Sequence, residues 1–181
     1  PAARVVTTDP IHLDLVAAIR AYNATEGLAL LRKLPHVDAP ITGGGLTPLA
    51  VAASIGSVKM VATFVKEGAN TTARDGRGAT VVALACTEGH PKMVHFLCRS
   101  KKVQGNLEVP DYHGYAPLHR ALMGGHLDIV TYLLQTGMSP DLRMSEAVAE
   151  KVARESPLYT PLHLAARHLA RPAKVMLMPP R

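Results

Sequence analysis

The stretch from Asp111 to Gly137 constrains the chain more than any other. It reads as two short helices joined by a tight turn. Ala116-Pro117 opens the first helix. Proline is tolerated at the first helical position because its missing N–H would have no intrahelical partner there. Leu118, Ala121 and Leu122 follow at helical spacing on one face. Gly124-Gly125 ends that helix, where a left-handed residue is easiest for glycine. Leu127, Ile129, Val130, Leu133 and Leu134 make the second helix apolar, and Gly137 closes it. Helices of about ten residues are marginal alone in water. The unit therefore has to bury its apolar faces against similar units.

Such units are present. Gly45-Leu46-Thr47-Pro48-Leu49-Ala50 and the residues up to Gly56 repeat the first helix, and Val58 to Gly68 repeats the second. Gly78 to His90 and Tyr159 to His168 match the first helix again. Aligning the small mid-helix residue pairs Ala52, Ala85, Ala121 and Ala165, at steps of 33, 36 and 44 residues. A period of about 33 residues with this content resembles the ankyrin repeat. The family's Thr-Pro-Leu-His signature stands here as Thr47-Pro48-Leu49-Ala50, Ala116-Pro117-Leu118-His119 and Thr160-Pro161-Leu162-His163. Its Gly-His turn stands as Gly89-His90 and Gly125-His126.

The resemblance implies an all-α solenoid of stacked helix–turn–helix units with projecting hairpin fingers. About five repeats are expected in a single domain over 1–181, at 11–40, 41–74, 75–110, 111–142 and 158–181, with the first and last degenerate. The first lacks the signature and carries Tyr22-Asn23 where a Gly-His would stand. Val81 and Val82 depart from the signature and predict a looser third unit. The segment 143–157 is an insertion. Its good helix formers, with Ser145 as N-cap and Glu150 four residues before Arg154, read as an extra helix on the finger, a loop being the alternative.

Composition agrees with this architecture. Hydrophobic residues make up 48% and aromatics only 4%, with no Trp. Such a core of Ala, Leu and Val suits short, closely packed helices better than a large enzyme pocket. Two cysteines, Cys86 and Cys98, give no disulfide framework and point to an intracellular, cytoplasmic protein. Cys86 aligns with the apolar Ala53, Leu122 and Ala166 of sister units and reads as a small core residue. No apolar run approaches the ~18 residues of a membrane helix. The net charge is +6. From Lys151 onward six Lys or Arg face one acid, Glu155, so the basic end suits an acidic partner, nucleic acid or anionic lipid, against the plainer reading of a solvated face.

Nine histidines invite a metal or catalytic reading. The resemblance gives His119 and His163 a structural role instead, hydrogen-bonding to backbone and fixing the turns between repeats. His90 and His126 have the same explanation in the Gly-His turn. No paired Cys-x2-Cys spacing, His-Glu-x-x-His run or phosphate loop is present, so neither metal nor cofactor is expected. Acids are scattered singly, and Glu108 and Asp111 read as solvated finger residues. The chain is expected not to be an enzyme.

In ankyrin-like arrays the concave surface, built from finger tips and the exposed ends of first helices, binds partners. Carried over by motif position, that surface comprises Arg77, Glu88, Tyr112, His113, Tyr115, Met123, Tyr159, Arg167 and His168. Tyr and Arg are frequent binding hot spots. The expected function is a non-catalytic protein–protein interaction module or scaffold whose partner is another protein. The alternatives are a structural subunit of a large assembly, such as a ribonucleoprotein contacted by the basic C-terminal third, and a regulatory module of a longer protein. Nucleic acid is the weaker partner, because no RNA-binding motif is present.

Overall fold

The computed structural model describes residues 9–100 and 107–138. Eight α-helices follow one another among these residues. They are α1 (Pro10–Arg20), α2 (Ala24–Leu31), α3 (Pro48–Ile55), α4 (Val58–Lys66), α5 (Val81–Thr87), α6 (Pro91–Cys98), α7 (Pro117–Gly124) and α8 (Leu127–Gln135). They pair as α1/α2, α3/α4, α5/α6 and α7/α8. First helices stack in one row, α1 on α3 on α5 on α7, and second helices in another, α2 on α4 on α6 on α8. The expected insertion at 143–157 and the expected fifth unit at 158–181 lie outside the described residues.

Local chemistry sets each helix start. The hydroxyls of Thr47 and Thr80 accept hydrogen bonds from the amides of Ala50 and Ala83, both at 3.2 Å. Each satisfies one of the amides that a helix start leaves without an intrahelical partner. Ala116 has no hydroxyl to do this, and the ring of His119 takes over differently, its Nδ1 accepting from the Ala116 amide at 3.2 Å. His119 is fully buried, as the structural role required.

Ala52, Ala85 and Ala121, with Ala18 one period of 34 residues before Ala52, also close the turns. The amides of Asn23, Ser57, His90 and His126 each donate, at 3.0 Å, to the carbonyls of Ala18, Ala52, Ala85 and Ala121. A small residue there lets the neighbouring repeat approach, and its carbonyl terminates the helix. Gly56, Gly89 and Gly125 adopt φ of 81°, 73° and 74° in these turns, whereas Tyr22 occupies the same place at φ 57°. A non-glycine in that region carries strain. Tyr22 gains in return a 3.1 Å hydrogen bond from its hydroxyl to the Ile55 carbonyl of the next repeat.

A continuous apolar core runs along the stack. Leu15 and Ile19, then Leu49, Met60 and Phe64, then Met93 and Leu97, then Leu118, Ile129 and Leu133 are each essentially inaccessible. The third unit is no looser than its neighbours: Val81 and Val82 are 0% and 1% exposed. Two valines replace Pro-Leu without loss because Thr80 still caps the helix and both side chains face packed helices. Cys86 and Cys98 are likewise buried. Burial pushes the Cys98 thiol up to about 11 and the Cys86 thiol well above its ordinary value, so neither ionises near neutrality.

Candidate binding surface

Three fingers precede α3, α5 and α7, and their tips are built on one template. Residues 42–46, 75–79 and 111–115 occupy equivalent places. The tip closes with Gly45, Gly78 and Gly114 donating to the carbonyls of Thr42, Asp75 and Asp111 at 2.9–3.0 Å. In the second finger, Asp75 Oδ1 accepts from the amides of Arg77 and Ala79 at 2.9 and 2.8 Å. In the third, Asp111 Oδ1 accepts from His113 and Tyr115 at 2.8 and 3.0 Å. The Asp111 carboxylate also pairs with the Arg120 guanidinium of α7, whose Nε lies 3.0 Å from Oδ2. Asp111 is 5% exposed, so the expectation of a solvated finger carboxylate fails. The hairpin folds around this side chain instead of projecting it. Glu108, by contrast, is exposed.

Adjacent fingers are joined through backbone. Gly76 N donates to Gly44 O, and Tyr112 N to Arg77 O, both at 2.9 Å. This leaves no room for a side chain at Gly78, because a Cβ there would stand 2.8 Å from the Tyr112 ring. The ring therefore lies against the second finger. The Arg74 guanidinium sits 5.4 Å from its centroid, and Arg74 Nε donates to Gly78 O at 2.7 Å. Tyr112 is held from two sides yet remains 68% exposed.

The expected surface residues do not behave alike. Tyr112, Arg77 and His113 are exposed on the touching tips of the second and third fingers. Arg77 spends little of its charge internally, with Nε 3.4 Å from Asp75 Oδ2 and its side chain 65% exposed. Glu88 and Met123 are exposed at the C-terminal ends of α5 and α7, which pack side by side. Tyr115 is different. It is half-buried under the Arg120 guanidinium, 4.7 Å from its centroid, with the His119 ring 6.4 Å away, and so it braces the finger. Tyr159, Arg167 and His168 lie outside the described residues. Sequence reasoning missed Arg74 and Arg120. Neither stands at a motif position, and their partners Tyr112 and Asp111 are 38 and nine residues away.

Histidines at the turns knit repeats together. His90 Nε2 lies 2.9 Å from Ser54 O and His126 Nε2 lies 3.2 Å from Thr87 O, each reaching the preceding repeat. A Cβ on Gly56 or Gly89 would stand 2.7 or 2.3 Å from those rings. The glycines are thus needed for close approach as well as for φ. Among the described residues no cluster of three or more His, Cys, Asp or Glu is placed to hold a metal ion, and no helix is long and apolar enough to cross a membrane.

Paired helices, Asp-anchored fingers and histidine-locked turns define a stacked-repeat protein that presents a rigid surface. The chain belongs to the ankyrin-repeat family: the profile described as ankyrin repeats (3 copies) matches residues 15–108 and 49–144. It is similar to NF-kappa-B inhibitor delta of Mus musculus, with 30% identity over 139 residues, covering 76% of this chain and 40% of the relative. It is also similar to tyrosine-protein kinase HTK16 of Hydra vulgaris, with 36% identity over 95 residues, 52% of this chain and 12% of the kinase. The probable E3 ubiquitin-protein ligase XBOS32 of Oryza sativa subsp. japonica shares 28% over 145 residues, 79% of this chain and 29% of the ligase. The chain thus spans less than half the length of each of these relatives. Ankyrin repeats mediate protein–protein interaction, and the family is generally non-catalytic.

Proposed function

We propose that this chain is a non-catalytic interaction module or scaffold that binds another protein through its finger tips and the adjoining ends of its first helices. The observation that carries the reading is Tyr112, an aromatic ring 68% exposed although Arg74 and Gly78 hold it in place. A side chain ordered before binding loses little further entropy on binding. With Arg77 and His113 beside it and Met123 on α7, the group combines aromatic, cationic and apolar character, the mixture from which hot spots are made. In this reading the fifth unit at 158–181, with Tyr159, Arg167 and His168, extends the same surface within one domain, and the 143–157 insertion borders it.

The similarity to a protein named as an inhibitor supports a more specific version, in which occupation of this surface restrains the partner. The test is affinity capture from source lysate at moderate salt, comparing the native chain with Arg77→Ala/Tyr112→Ala. A protein retained by the native chain and lost by the variant supports the reading. Recovery of mainly nucleic acid, insensitive to the variant and released by salt, overturns it in favour of an assembly subunit.

A further inference from the structure

The second-helix row carries a pattern unrelated to the fingers. Lys59 and Lys66 lie seven residues apart on α4, and Lys92 and Arg99 lie seven apart on and just beyond α6. Seven residues are nearly two helical turns, so each pair shares a face at a separation of about 10.5 Å. Lys59 and Lys92 are equivalent across the repeat, as are Lys66 and Arg99, and α4 packs on α6. Packed helix axes lie about 8–10 Å apart. Four cations therefore stand near the corners of a square, and all four are exposed.

Their charge is not compensated. None of the four forms an ion pair within the described chain, nor does Lys33, two residues past the end of α2. The carboxylate nearest in sequence, Glu67, is already held by Arg32 through two hydrogen bonds of 2.9 and 3.2 Å. Those bonds keep the Glu67 carboxyl below the usual range. The other acids of this row, Glu26 and Asp128, lie on α2 and α8, off the square.

We propose that the outer face of the second and third repeats, formed by Lys59, Lys66, Lys92 and Arg99 with Lys33 at its edge, docks on the anionic surface of a phospholipid bilayer. A two-dimensional grid of cations matches a plane of charge better than it matches a line of phosphates. Three of the four corners are lysines, flexible point charges suited to a diffuse anionic surface rather than to bidentate capture of single phosphates. The exposed positions of α4 and α6 carry no Trp, Tyr or Phe on which the bases of a single strand would stack. Contact would be peripheral, driven by charge and weakened by salt. It would leave the first-helix row and the fingers free, so that one chain holds a protein partner at a membrane.

The test is co-sedimentation of the full chain with vesicles of phosphatidylcholine alone and with about one-third phosphatidylserine, at low and physiological salt. Each cation near such a surface contributes about fivefold to partitioning. The native chain is expected to bind the phosphatidylserine vesicles only, and less as salt rises. Lys59→Gln/Lys66→Gln/Lys92→Gln/Arg99→Gln should lose at least tenfold with its circular dichroism unchanged. The charge-matched control Lys151→Gln/Arg154→Gln/Arg171→Gln/Lys174→Gln should lose less than threefold. Equal losses in both variants would reduce the effect to net charge and overturn the proposal. So would native binding to duplex DNA without vesicle binding, or no binding to either.

Discussion

The first and third fingers share a backbone and differ in almost every side chain. Residues 42–46 carry Thr42 followed by three glycines, and residues 111–115 carry Asp111 followed by Tyr112 and His113. Thr42 Oγ1 accepts one hydrogen bond, from the Leu46 amide at 3.1 Å. Asp111 accepts two from backbone and pairs with Arg120 as well. One tip presents bare backbone, against which the second finger packs through Gly76. The other presents an exposed ring and an exposed imidazole. Holding the loop is therefore done by one residue, and the exposed side chains beside it take no part in that anchoring. Position one anchors the hairpin, and in the proposed reading positions two and three meet the partner.

The comparison can be broken most forcefully at Asp111. Asp111→Ala removes charge-assisted bonds to two amides and strands the mostly buried Arg120, so it should cost about 3 kcal/mol, read as a lower urea midpoint. Asp75→Ala should cost less, about 2 kcal/mol in the same assay. Its two amide bonds are equivalent, but its ionic partner Arg77 is largely solvated and adds little. Thr42→Val deletes a single neutral bond at a half-buried site and should cost about 1 kcal/mol. If Thr42→Val proves as damaging as Asp111→Ala, the anchors are not graded by charge and the account of the fingers fails.

Tyr112→Ala marks the lower end. The exposed cation–π contact with Arg74 is worth about 0.5 kcal/mol, so the midpoint should barely move. Binding should nevertheless be lost, because the ring is the centre of the proposed surface. A large fall in stability here would show that Tyr112 braces the stack, as Tyr115 does, and would remove it from the binding surface.

Much of this was legible in the sequence, because repeats write their own alignment. The alanine register, the Pro and Gly boundaries and the two Gly-His turns pointed to an all-α stack of helix pairs. Among the described residues, the aligned Ala52, Ala85 and Ala121 have the carbonyls that close the turns. What escaped notice depends on contacts between residues distant in sequence or wrapped within a loop. Asp111 read as solvated because finger residues usually are, and nothing in the one-dimensional pattern shows a hairpin enclosing its own carboxylate. Arg120 and Arg74 act on partners that periodicity does not link to them. Tyr115 and Tyr112 read as equals, yet one lies beneath a guanidinium and the other faces water. Val81-Val82 misled in the opposite direction, since a departure from the signature was tolerated once Thr80 kept the cap. Lys59/Lys92 and Lys66/Arg99 stand one period of 33 residues apart in the sequence, but that they share a face depends on the packing of α4 on α6.

The central claim is that the tip of the third finger is where this chain meets another protein. Photo-crosslinking tests it most directly, with p-benzoylphenylalanine placed at position 112 in one sample and at position 95, an exposed site on α6, in another. Illumination in source lysate at moderate salt should give a discrete protein adduct from position 112 and none of the same mass from position 95. The same adduct from both positions, or none from position 112 while the chain remains folded, would contradict the claim.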